Sequence, residues 1–122
     1  MSEFNYHNRC FRGLENYDDG DLTQDVHFRY TQEGSVVKGS FSGGRVVAGD
    51  LLAQILDGGR LDMIWRYRNV DGDTCYGTCV STPEVLPDGR YRLHEVWEIT
   101  GGPLAGQRGT SSIEEVREEN KA

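Results

Sequence analysis

A chain of 122 residues fits one compact domain, long enough to enclose a core and too short for two ordinary domains. Hydrophobic residues make up 36% and aromatics 10%, spread along the chain, a composition that excludes a disordered polar segment. With 20 acidic against 13 basic residues the formal charge is -7, a field that repels phosphate backbones and anionic membrane surfaces, so neither nucleic acid nor a membrane is an expected partner.

Taken in chain order, turn clusters recur at short intervals: ENYDDGD (15–21), QEGS (32–35), SGGR (42–45), DGGR (57–60), DGD (71–73), PDGR (87–90) and GGPLAG (101–106). Glycine supplies the positive φ of tight hairpin turns, and a neighbouring Asp or Asn tolerates the same region. Between the clusters lie segments rich in β-branched and aromatic residues, which predict eight strands at 8–14, 26–32, 35–42, 45–53, 61–69, 74–83, 91–99 and 109–117. No window sustains a helical repeat, although the end, SSIEEVREENKA, is compatible with a short C-terminal helix or a frayed tail. The expected fold class is all-β: an antiparallel up-and-down meander of about eight strands closed as a small barrel, in a single domain over 1–122. A flattened two-sheet sandwich is the alternative, because hairpin spacing does not distinguish closure from stacking.

Period-two alternation then assigns faces. Val26, Phe28 and Tyr30 share the inner face of the second strand; Leu61, Met63, Trp65 and Tyr67 that of the fifth, with Ile64 an apolar exception outside; Leu93, Glu95, Trp97 and Ile99 that of the seventh. His94 and Glu95 therefore point to opposite faces, and HEVWE is not a zinc helix motif, which needs a helix and a second His. Glu95 is the conspicuous inward residue, since a buried carboxylate needs a hydrogen-bond partner. Tyr67, Ser81, Cys79, Thr110, Ser112 or an inward Arg are the candidates for that role.

Other chemistries find little support. No local signature of a nucleophile beside a base is present, GGRVVAG and GGPLAG lack the spacing of phosphate loops, and His7, His27 and His94 are too scattered for a metal motif, so no cofactor and no metal are expected. Cys75 and Cys79, if on one strand, lie about 13 Å apart, beyond the reach of a disulfide at roughly 7 Å. With no apolar run near the roughly 20 residues of a bilayer span, and no secretion pattern in MSEFNYHNRC, reduced thiols in a cytoplasmic protein are expected.

The ordered strings YTQEG, VVKGSFSGG, GDLLA, LDMIWRY, GTCVSTPEVLPDGRYRLHEVWE and SSIEE resemble a family of small bacterial β-barrel proteins often labelled "n-acetylglutamate synthase", over about Phe28 to Glu115. The resemblance implies a calycin-like or avidin-like barrel, a class that also takes in lipocalin-like folds, and carries over no activity. Acetyl transfer from acetyl-CoA is not expected: the closest string to its phosphate loop, Arg45-Val-Val-Ala-Gly, misses the pattern and falls in a predicted strand. The leading functional expectation is a small-molecule-binding barrel whose interior or mouth is lined by Tyr30, Tyr67, Cys79, Ser81, Glu95 and Trp97. A solid-core interaction or scaffold protein is the alternative, and an enzyme of unknown class the third.

Overall fold

The computed structural model describes residues 4–14 and 25–117. Eight antiparallel strands run β1 (Arg9–Gly13), β2 (His27–Glu33), β3 (Val36–Gly43), β4 (Val46–Ile55), β5 (Leu61–Asn69), β6 (Thr74–Val85), β7 (Tyr91–Gly101) and β8 (Arg108–Glu115), with one short 3₁₀ turn at Asp57–Gly59. Each pairs with its neighbour in sequence, and β1 closes on β8 through Phe11↔Glu115, Arg12↔Glu114 and Gly13↔Ile113. Closure rules out the sandwich, and it leaves no sheet edge running the length of the molecule. The chain past Glu115 is not helical at Val116 and Arg117; the rest of the expected C-terminal helix, like the whole ENYDDGD turn, lies outside the described residues.

The hairpins form where glycine permits them. In PDGR, Asp88 Oδ1 accepts from the Arg90 backbone N–H, while Gly89, at φ 91°, donates its own N–H to the Leu86 carbonyl. That φ suits a residue without Cβ. The strands on either side then alternate strictly: β5 reads buried and exposed residue by residue from Leu61 to Asn69. Ile64, 57% exposed, and Val96, 61% exposed, sit on the outer face as the period requires, despite being apolar.

The inner face holds the core. Phe11, Phe28, Tyr30, Phe41, Leu51, Met63, Trp65, Leu93 and Ile113 belong to one buried cluster. Inward glycines make room for its largest rings. A Cβ on Gly77 would lie 2.6 Å from Trp65 Cζ2 and 2.1 Å from the Glu98 carbonyl oxygen, and one on Gly49 would lie 2.5 Å from the Phe41 ring. Trp65 is held over Gly77 by its indole N–H, which donates to the Thr78 carbonyl at 3.1 Å. At this point the β6–β7 register shifts between Tyr76 and Gly77, a bulge that leaves Thr100 of β7 unpaired and bends that strand.

One end of the barrel is plugged by the segment preceding β1. Tyr6 is fully buried, donates its hydroxyl to the Gly59 carbonyl at 2.6 Å, and packs edge-on against Tyr91. Phe4 also meets Tyr91 edge-on, with ring centres 5.4 Å apart, and the Arg9 guanidinium lies 3.7 Å from the centre of the same ring. Glu115 ties this end together by accepting from Arg9 and from the Tyr91 backbone N–H. Among the described residues no helix is long and apolar enough to cross a membrane.

Candidate functional site

Beyond the plug the barrel keeps a cavity of about 30 Å³, two or three times the room of about 10–15 Å³ that one water needs. Phe28, Tyr30, Phe41, Trp65, Tyr67 and Trp97 wall it with aromatic surface, Leu51, Met63 and Ile99 fill the gaps, and Cys79 and Glu95 supply polar atoms. Five of the six residues singled out from the sequence (Tyr30, Tyr67, Cys79, Glu95 and Trp97) therefore meet on one surface. Tyr30 separates the plug from the cavity, its ring 6.2 Å from that of Tyr6. Trp97 is the lining residue that is only partly buried, so its ring is the most exposed part of the wall.

Ser81, the sixth, stands behind Glu95 and does not line the cavity. The two are cross-strand partners on β6 and β7, and the Ser81 hydroxyl donates to Glu95 Oε2 at 3.0 Å. Cys79 Sγ lies 3.6 Å from the Ser81 oxygen. Because the one Ser81 proton is committed to the carboxylate, the Cys79 thiol is the donor in that contact. The order is therefore thiol to hydroxyl to carboxylate, with Oε1 of Glu95 left over: no hydrogen bond reaches it among the described residues.

Burial pushes the Glu95 carboxyl up to about 7, against a smaller downward pull from the Ser81 hydrogen bond. The Cys79 thiol is pushed well above the ordinary range, first by burial and then by the nearby Glu95 charge. It stays protonated and is a poor nucleophile. Ser81, turned toward Glu95 and away from the cavity, is equally badly placed to attack a guest.

The expectation that Thr110 or Ser112 partners Glu95 fails on register. Glu95 lies opposite Ser111, so Thr110 and Ser112 fall on the outer face, where Ser112 lies 3.4 Å from His94 Nδ1. Ser111 takes the inward place, and its hydroxyl oxygen is buried without a hydrogen-bond partner among the described residues. Counting in twos from inward Ile113 would have found it. Trp65, placed inside by the same rule, belongs with the site as well: it stacks on Tyr67 with ring centres 5.9 Å apart and planes 17° apart. Trp97 in turn lies against Gly109, where a Cβ would come within 2.7 Å of its Cζ2.

No curated protein matches the chain. The family described as Avidin-like protein matches residues 4–116, a stretch that contains all eight strands, the Phe4–Tyr6 plug and the whole cavity lining; the chain belongs to the avidin-like family.

Proposed function

We propose that this protein binds a small organic molecule inside its barrel, against Trp97, Trp65 and Tyr67, with Glu95 as the polar contact. The observation that carries the reading is the meeting of an aromatic wall with a buried carboxyl whose second oxygen has no partner. Ligand sites are mostly apolar, with a few convergent polar groups that fix orientation. A barrel of eight strands is wide enough either for a solid core or for one small guest. The plug fills one end and leaves the cavity behind Tyr30, which favours the guest over the solid-core scaffold. A guest larger than the cavity enters by displacing the Trp97 ring, the most exposed part of the lining.

Native mass spectrometry of the purified chain, joined to a tryptophan emission titration, tests the reading. Expected are a retained or added small-molecule mass and a shift in emission from Trp65 and Trp97, with Trp97→Ala losing retention while its melt stays cooperative. A chain that never carries a guest and whose emission no small molecule alters would overturn it.

A further inference from the structure

We infer that the guest taken up by this cavity is a small organic cation, an ammonium or amidinium head on an apolar body, whose head pairs with Glu95. The inference rests on the interior being a ligand site and adds the chemical class. Glu95 is 7% exposed and, among the described residues, the one ionisable carboxyl on a lining otherwise made of aromatic and aliphatic side chains, Cys79 and two phenols. No Lys or Arg among the described residues lines the cavity. Its ion, when present, is thus an uncompensated buried charge, an unfavourable state unless a guest neutralises it.

The unpaired carboxylate oxygen asks for a donor. Among the described residues no hydrogen bond reaches Glu95 Oε1; Ser111, directly across on β8, keeps a buried hydroxyl that can donate or accept, but it lies outside the cavity lining. An ammonium or amidinium brings several N–H donors and no acceptor of its own, whereas an anion would face the carboxylate. The faces of Trp65, Tyr67 and Trp97 suit the same head and body, since a cation is drawn to an aromatic face and the rest of the guest stacks. A chain with formal charge -7 also concentrates cations near its surface.

Pairing with a cation needs Glu95 ionised, so binding is coupled to release of its proton. The other titratable groups facing the cavity are the Cys79 thiol from β6, the Tyr30 phenol from β2 and the Tyr67 phenol from β5; β3, β4 and β8 add none to the lining. Glu115, inward on β8, is engaged by Arg9 and the Tyr91 N–H at the plugged end. Glu95 is therefore the group that sets the pH response near neutrality.

Benzylammonium and its neutral analogue benzyl alcohol, titrated into the full chain by calorimetry from about pH 5.5 to about 8.5, test this. In the expected result benzylammonium binds and the alcohol binds at least about tenfold more weakly, with cation affinity falling about tenfold per pH unit below the Glu95 pKa and protons released to the buffer. Glu95→Gln should erase the preference for the cation; because the pH series uses the natural chain, the test survives if that variant folds poorly. Equal binding of the two probes, or cation binding indifferent to pH, overturns the cation class while leaving the interior as a ligand site. Absence of heat and of any tryptophan emission change with either probe overturns both the inference and the reading beneath it.

Discussion

Glu95 is the one carboxyl among the described residues that line the cavity, and its behaviour follows from its surroundings. Burial raises its pKa from 4.5 to about 7, so between those values the folded chain holds a proton that the unfolded chain has lost. Stability from this group is therefore fully present below about pH 4.5 and is lost as pH rises through about 7, a span of roughly 3 kcal/mol at about 1.4 kcal/mol per unit. Glu95→Gln keeps an oxygen for the Ser81 hydroxyl and removes the charge. Denaturant unfolding at several pH values is expected to show the variant gaining on the natural chain from about pH 5 to about 7 and holding a constant lead above it. A constant difference at all pH values would mean that Glu95 is ionised in the fold without penalty. The sequence disclosed that this residue faces inward, because alternation is local. Alternation from Ile113 also marks Ser111 as inward, but it does not say which inward residue of β8 stands opposite Glu95, since a two-residue shift keeps every face and leaves no local sign.

At the scale of strands, the device that recurs is an inward glycine beneath an aromatic ring contributed by a neighbouring strand. Gly77 under Trp65 and Gly109 under Trp97 differ in what they touch. A Cβ at Gly77 meets the Glu98 backbone carbonyl at 2.1 Å, which cannot rotate away, whereas at Gly109 it meets only the Trp97 ring. Gly77→Ala is accordingly expected to destabilise by about 3 kcal/mol or more, as overpacking against backbone does, and Gly109→Ala by about 1 kcal/mol. Thermal melts of the pair check the order, which reversal would refute. Gly109→Ala should also move the Trp97 emission, because the ring yields in place of the strand. Strand ends were read closely: β4, β6 and β7 each run two residues past the expected 53, 83 and 99, to Ile55, Val85 and Gly101. Apart from Thr100, left unpaired at the bulge, the extra residues continue the cross-strand ladder up to the turn, a pairing that no residue announces by its own propensity.

For the whole molecule, closure and plugging are separate events. Closure comes from a short β1 that pairs on both sides, and plugging from Phe4 and Tyr6, which precede it. Tyr6→Phe removes only the hydroxyl that donates to Gly59 and is expected to lose about 1 kcal/mol. Tyr6→Ala empties a fully buried ring site and is expected to lose about 3–5 kcal/mol. Chemical denaturation of both variants checks the gap between them. If the two lose the same small amount, the segment does not close that end of the barrel in solution.

Composition, turn spacing and two-residue alternation were enough, by themselves, to establish an all-β chain of eight strands, the faces of the second, fifth and seventh of them, and an inner surface bearing Tyr30, Tyr67, Trp97 and Glu95. These are properties of neighbouring residues along one strand, and steric preference writes them locally. Whether the sheet closes, which residue stands opposite Glu95, and how much room is left behind the plug depend on pairings between residues far apart in the chain. Those were decided only when β1 met β8 and the rings of Trp65 and Trp97 settled over their glycines, because register and packing are properties of surfaces in contact and no single strand contains them.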